Sequence, residues 1–285
     1  MIDLVHLKSF AEVAERGTVA AAAAAQGYTA PAVSQHLAKL EDMLNVKLFD
    51  RLRGRLVLTS AGKSLLPTAF EILDLDARAT ILVGQAEDLP HVVVSGFATA
   101  ISTVLAPRLR QLLVQATVEI IEAEDSEALR DLGLGDVDIA LTQEYEGVPE
   151  ERSSRFTFTP LVHDRLVLVL PPDMAPSMTI DQLRNAPWLL NGRTTRCALA
   201  TEATFSGAGI SPIIVGTVAD NAALLALVAA GHGVTVMPSR ALDHGDHQVT
   251  IAEQDLGVVR TIYAVTRSAM YASMSPILAI LTDAP

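Results

Sequence analysis

Residues 18–59 read TVAAAAAAQGYTAPAVSQHLAKLEDMLNVKLFDRLRGRLVLT, and this stretch decides the fold. Ala20 to Gln26 is almost pure alanine, the strongest helix former. Gly27 follows as a residue free to take positive φ at a helix end. Thr29 suits the N-cap of a second helix, with Pro31 in its first turn, where a missing N–H costs nothing. Val33, Leu37, Leu40 and Leu44 recur at three- and four-residue spacing and define one inward face. The other face carries Ala30, Ser34, Gln35, His36 and Lys39. Hydrogen-bonding and cationic groups near a helix N-terminus are what a helix presents to a DNA major groove. Arg51, Arg53 and Arg55 then alternate around Gly54 before a return strand at Leu56-Val57-Leu58, a hairpin suited to clamping phosphates. Two short helices about a glycine turn also occur in ordinary bundles, and three arginines also suit a solvated hairpin, so spacing alone leaves both open.

Working outward, Leu4, Leu7, Phe10, Ala11 and Ala14 form the stripe of a first helix over residues 2–16, ended by Gly17. Thr59 or Ser60 caps a long helix over residues 60–88. Its apolar residues Leu65, Leu66, Ala69, Ile72, Leu73, Ala79 and Leu82 recur at near-heptad spacing, and Pro67 invites a kink. On its spacing alone such a helix is an ordinary amphipathic one. Leu89-Pro90 is a domain boundary. Beyond it strands are expected at 91–95, 118–123 and 137–142, with helices at 100–115 and 126–134. A second unit follows, with strands at 164–170, 188–190, 213–218, 234–237 and 260–266 and helices at 179–184, 197–207, 221–230 and 273–281. This alternation argues for a parallel α/β sheet.

The chain has 285 residues, half of them hydrophobic, and a net charge of −12. Charge is partitioned: residues 1–64 hold 8 Lys+Arg against 6 Asp+Glu, the remainder 13 against 27. Any DNA contact must therefore come from the local basic face of the first domain. No apolar run reaches the roughly 18 residues of a membrane span, and MIDLVHLKSF has no basic leader, so a cytoplasmic location is expected. Cys197 stands alone, which excludes an intrachain disulfide. There is no G-x-S-x-G, H-E-x-x-H or G-x-x-x-x-G-K-[ST] signature, which argues against an enzyme. His244 and His247 share a polar loop without a fixed third ligand, so neither metal nor cofactor is expected.

The ordered series His6-Leu7-Lys8-Ser9-Phe10, Ala22-Ala23, Pro31-Ala32-Val33-Ser34-Gln35-His36-Leu37, Leu40-Glu41, Val46-Lys47-Leu48-Phe49-Asp50-Arg51 and Leu58-Thr59-Ser60-Ala61-Gly62 resembles the winged helix-turn-helix of LysR-type transcriptional regulators. Asp138-Ile139-Ala140-Leu141, Val228 to Val234 and Met237-Pro238 are similar to the effector-binding part of that family. Two departures stand out: Ala30 where the family has Gln, and Gln26 where it has Leu. An unpartnered buried amide at the latter position costs about 1–3 kcal/mol.

The resemblance implies three parts. Residues 1–59 form a winged helix-turn-helix, 60–88 a dimerising linker helix, and 89–285 a two-lobed α/β domain like type 2 periplasmic binding proteins. Its lobes fall at about 91–161 with 268–285 and at 162–267, hinged near Leu161 and Arg267. It implies a sequence-specific regulator contacting double-stranded DNA through Thr29, Pro31, Ala32, Ser34, Gln35, His36, Lys39, Arg51, Arg53 and Arg55. It further implies a small-molecule effector, self-association as dimers or dimers of dimers, and contact with RNA polymerase. Ligands of such folds lie at strand ends beside helix N-termini, which selects Ser95, Phe97, Thr99, Gln143, Asn191, Arg193, Thr194, Arg196, Asp220, His232 and Gly233. Each hydroxyl there also suits a helix cap and His232 a turn, while Glu144 and Glu146 suit a cationic group or plain solvent. The competing functional reading is a cytoplasmic small-molecule-binding protein whose N-terminal domain serves only dimerisation.

Overall fold

Three capped helices build the N-terminal head. Asp3 accepts from the Val5 N–H and so opens α1 (Leu4–Arg16) two residues later than the apolar stripe alone suggests. The computed structural model describes residues 2–52, 55–83, 89–148, 151–192, 195–244 and 248–283, with side chains for all of these except 55, 81–83, 243 and 244. Thr18 and Thr29 cap α2 (Val19–Gln26) and α3 (Ala30–Leu44) through their hydroxyls, each such cap being worth about 1 kcal/mol. Gly27, at φ 68°, ends α2 in the left-handed region, and its N–H reaches back to the Ala23 and Ala24 carbonyls. Leu7, Phe10, Val13, Ala22, Ala23, Val33, Leu40 and Leu48 form the core of the head. A short hairpin, β1 (Phe49–Leu52) and β2 (Arg55–Leu58), pairs Phe49 with Leu58. Helix α4 (Ser60–Val83) rests directly on backbone: a Cβ at Gly62 would lie 2.3 Å from the Leu48 carbonyl oxygen. The expected continuation of α4 over residues 84–88 lies outside the described residues.

Beyond residue 89 come β3 (His91–Gly96), α5 (Ala98–Ala100), a π-helical turn (Ile101–Leu105), α6 (Ala106–Gln115), β4 (Thr117–Glu122), α7 (Asp125–Leu134), β5 (Ile139–Tyr145) and β6 (Phe156–Leu170). Next are β7 (Pro187–Leu190), α8 (Arg196–Gly207), β8 (Ile213–Thr217), α9 (Asn221–Ala229), β9 (Thr235–Pro238), β10 (Thr250–Ile251), β11 (Val259–Arg267) and α10 (Tyr271–Thr282). The main sheet runs β10-β6-β11-β5-β3-β4, with β9 also on β6. It is mixed rather than parallel. β3 is parallel to β4 and β5, but β11 returns antiparallel to both β5 and β6.

Other local expectations differ for identifiable reasons. The first half of β6 escapes sequence patterning because Pro160 interrupts it; the structure absorbs that proline at a register shift opposite Ile262 and Tyr263. The expected helix at 100–115 starts at Ala98 and is interrupted by a π turn ahead of Pro107, which supplies no N–H. Residues 179–184 form turns, not a helix, with the Gln182 side chain taken by the Thr179 N–H at 2.8 Å.

Two cores follow. Val92, Val94, Leu105, Ile139, Ile262 and Leu278 belong to one. Leu166, Leu168, Trp188, Phe205 and Val236 belong to the other. They meet between Val162 and Leu166 on β6 and between Val258, just before β11, and Ile262 on it. The crossing on β6 lies just beyond Leu161, whereas the other falls well before Arg267, because β11 pairs along its length with β5 of the first lobe.

The head also touches the first lobe of its own chain. Arg16 lies 2.6 Å from Glu12, 2.9 Å from Asp136 and 3.2 Å from Asp131, and Lys8 lies 3.3 Å from Asp136. Ala11, Phe70 and Leu134 pack together, with the Arg155 guanidinium 3.5 Å from the Phe70 ring centre. Arg267 pairs with Asp74 of α4 at 2.9 Å.

Candidate nucleic-acid interface and effector cleft

The outer face of α3 and the hairpin present one surface. Thr29, Pro31, Ser34, Gln35, Lys39 and Arg51 are exposed and Ala32 is half-buried. The Thr29 hydroxyl is engaged as a cap by the Ala32 N–H. Arg53 lies outside the described residues, as does the side chain of Arg55. His36 departs from the expected face. Its Nδ1 is 2.9 Å from the Ser9 hydroxyl, and its ring packs 5.1 Å from His6 and edge-on to Tyr28 at 5.3 Å. Burial, then His6 and Lys39, hold its pKa below the ordinary histidine value. It therefore joins α3 to α1. Gln26 proves satisfied: its NH2 donates to the Ala22 carbonyl at 3.2 Å, and its oxygen accepts from Ser9 at 3.2 Å.

Sequence reasoning gave Glu41 no role. Its carboxylate accepts from the Leu48 N–H at 2.9 Å, the Phe49 N–H at 3.3 Å and the Lys47 ammonium. Burial pushes its pKa up, but these bonds outweigh it and hold the group below the usual value. Glu41 thus fastens α3 to the start of the hairpin. The Lys six residues on was the available signal.

Between the lobes lies a small open cleft. Phe97, Thr99, Gln143 and Asn191 line it as expected, together with Tyr145, Thr195, Cys197, Asn221 and Arg260. Asn221 bridges the lobes, donating to the Thr99 hydroxyl at 3.1 Å and accepting from the Asn191 amide at 2.6 Å. Thr195 caps α8 and donates to the Asn191 carbonyl at 2.6 Å. On the floor, the Gln143 oxygen accepts from the Tyr145 hydroxyl and from Arg260, both at 3.1 Å. Gln143 therefore offers the cleft its amide donors. Arg260 is fully buried and pairs with Asp164, which also accepts from the Ser239 hydroxyl at 2.7 Å. Its charge is thus answered within the protein. Arg196, the first residue of α8, reaches across to Asp125 at 3.8 Å.

The remaining expected residues lie elsewhere. Ser95 is buried within β3 and does not line the cleft. Asp220 caps α9 through the Ala223 N–H. His232 is exposed in a turn, and Gly233 lets the chain approach the Pro187 carbonyl, where a Cβ would come within 2.7 Å. Arg193 and Thr194 lie outside the described residues, as do the side chains of the polar loop at 243–247. Both carboxylate oxygens of Glu144 accept from Arg152, from Nε at 2.8 Å and from Nη2 at 2.6 Å.

Comparison with known proteins follows this division. Residues 4–63 match the bacterial regulatory helix-turn-helix protein, lysR family, and residues 90–276 match the LysR substrate binding domain. The HTH-type transcriptional regulator ClcR of Pseudomonas putida is 30% identical over 251 residues, 83% of each chain. The structure of full-length CbnR complexed with its target DNA is similar at a TM-score of 0.54 and 26% identity, covering 98% of this chain and 97% of that one. A full-length OxyR variant from Pseudomonas aeruginosa, with one cysteine replaced by aspartate, gives a TM-score of 0.70 at 20% identity, covering 99% and 94%, a likeness of fold alone.

Proposed function

The chain belongs to the LysR family of bacterial transcriptional regulators, and we propose how its residues divide that work. It is a DNA-binding regulator with an effector-binding domain, not an enzyme. In our reading α3 enters the major groove with Pro31, Ala32, Ser34 and Gln35 nearest the bases, while Lys39, Arg51, Arg53 and Arg55 meet phosphates. The observation that carries this is the exposure of Ser34, Gln35 and Lys39 on one face of α3, with Arg51 exposed on the adjoining hairpin.

Two copies would place two such helices one DNA turn apart. Self-association, as dimers or dimers of dimers, draws support from exposed apolar side chains: Leu75 on α4, Leu113 and Val114 on α6, and Ile213, Ile214 and Val215 on β8. Among the described residues no helix is long and apolar enough to cross a membrane, which suits a cytoplasmic regulator that also meets RNA polymerase.

The effector sits between the lobes, against Thr99, Gln143, Asn191 and Asn221, and shifts the lobe angle. Lobe one holds β3 to β5 with β11 and α10, and lobe two the C-terminal half of β6 with β7 to β10. The sole cysteine, Cys197, lines this cleft, and burial pushes its thiol up. A coupling of about 1–3 kcal/mol changes DNA occupancy severalfold.

The test is a titration on the DNA upstream of the protein's own gene, beside an unrelated duplex, at physiological salt. A preference on the order of a thousandfold is expected. Equal binding to both duplexes, persisting across metabolite additions and genomic fragments, would favour the ligand binder whose head only dimerises.

A further inference from the structure

Gln26 sits where the resemblance places an apolar residue, and none of the contacts proposed with DNA uses it. Three hydrogen bonds define its surroundings. Its NH2 donates to the Ala22 carbonyl at 3.2 Å, which fixes which end of the amide faces α1. Its oxygen lies 3.2 Å from the hydroxyl of the fully buried Ser9. That hydroxyl lies 2.9 Å from His36 Nδ1.

A serine hydroxyl has one hydrogen and accepts with its lone pairs. If Ser9 donated to His36, its oxygen would face the Gln26 oxygen with no hydrogen between them. Flipping the amide would only move the clash to the Ala22 carbonyl. One arrangement satisfies all three bonds: Ser9 donates to Gln26, and His36 donates to Ser9 through an Nδ1–H. We propose that Gln26 is a positioning residue for DNA recognition: acting through Ser9, it holds His36 in the Nδ1–H form and so fixes the seat of α3 on α1. The proposal rests on the reading of α3 as the DNA-reading helix, since His36 directly follows Ser34 and Gln35.

The charged and titratable groups facing the ring are His6 and Asp3 from the α1 end, Lys39 from α3, and Tyr28 from the turn before α3. Protonating His36 adds a hydrogen at Nε2 and leaves the Nδ1 donor in place, so the relay survives acidification. Removing Gln26 is different. It frees the Ser9 hydrogen to turn to His36, which then moves its own hydrogen to Nε2.

The experiment compares the full-length parent with Gln26→Leu and Gln26→Glu. The imidazole nitrogens are read by long-range proton–nitrogen NMR, with the His36 signal assigned by its loss in His36→Asn. DNA reading is scored as the affinity for a duplex selected by the parent from a random pool, divided by that for unselected duplex. The parent should show a protonated Nδ1. Gln26→Leu should shift the hydrogen to Nε2 and lower discrimination on the order of threefold to tenfold, as befits one net hydrogen bond. Gln26→Glu keeps an acceptor for Ser9 and should restore the Nδ1–H form, while the loss of the donor to the Ala22 carbonyl leaves discrimination between that of Gln26→Leu and the parent. An unchanged tautomer in Gln26→Leu, or a changed tautomer with unchanged discrimination, overturns the proposal. Ser9→Ala breaks the relay at its centre and must match Gln26→Leu in discrimination for the proposal to stand. A parent that selects no preferred duplex would instead count against α3 as the reading helix, so the two failures are distinct.

Discussion

Replacing Asp125 with asparagine should stabilise the protein more at pH 8.5 than at pH 6. Asp125 opens α7, and its side chain is almost wholly buried. One oxygen accepts from the Gln143 N–H at 3.2 Å, and the other has no partner among the described residues. Burial pushes its pKa from the ordinary 3.8 to about 7, against the pull of the Gln143 N–H and Arg196. A carboxyl that holds its proton more tightly when folded than when unfolded makes the fold lose stability as pH rises. The loss begins at the unfolded value and is complete above the folded one. At ~1.4 kcal/mol per pH unit, about 3 kcal/mol is already lost by pH 6 and about 1.4 kcal/mol more by pH 8.5. The amide keeps the shape and the acceptor for Gln143 but never ionises. Urea unfolding followed by the fluorescence of Trp188, the sole tryptophan and fully buried, measures the difference. pH 6 lies a unit above the sequence pI of about 5.0. The gap between variant and parent should widen by about 1.4 kcal/mol from pH 6 to pH 8.5. A gap that is constant, or that narrows, refutes a proton held at Asp125.

Glu41→Gln should lower stability at pH 7 by about 1 kcal/mol, since a charge-assisted acceptor for two backbone N–H groups becomes a neutral one. Because the folded carboxyl lies below the ordinary value of 4.5, the parent keeps this contribution above that value and loses it as pH falls through the folded one. Melting curves down to pH 3.5 should therefore show the two converging. Gly62→Ala drives a Cβ onto the Leu48 carbonyl oxygen and should cost about 1–3 kcal/mol; an unchanged melting temperature would show that α4 is not seated there. Arg51→Ala should reduce the slope of log affinity against log salt by up to ~0.9 on any duplex, and an unchanged slope removes Arg51 from the phosphate contacts.

The head was legible because its signals are local. Thr29 caps a helix through an N–H three residues away, Gly27 ends a helix it adjoins, and the hairpin closes within ten residues. His36 was misread because it sits at the border of two helix faces, and its choice is made by Ser9, 27 residues earlier. The cleft divides in the same way. Phe97, Thr99, Gln143 and Asn191 could be placed at the cleft from sequence because strand ends and helix starts gather at one edge of any such sheet. Arg260 and Tyr145 were not. Each looks like an ordinary strand residue until β11 is laid beside β5, bringing Arg260 to Gln143 across 117 residues of chain. The first half of β6 was hidden for a related reason: Pro160 argues against a strand locally, and only pairing with β11 overrules it.

Helix α7 has a footing at each end. Asp125 at its start faces Arg196 over the cleft, and Asp131 near its finish, with Asp136 just beyond, meets Arg16 of α1. Ten residues of α-helix make a strut of about 15 Å that bends and stretches little. A strut pinned at both ends does not allow one end to shift unnoticed. If the lobes rock as proposed, a shift of Arg196 leaves two outcomes: the strut travels and carries Arg16 with it, or one of the two footings gives way. Only the first outcome re-aims the head, and it does so through a helix that lies outside both the proposed effector contacts and the proposed DNA contacts.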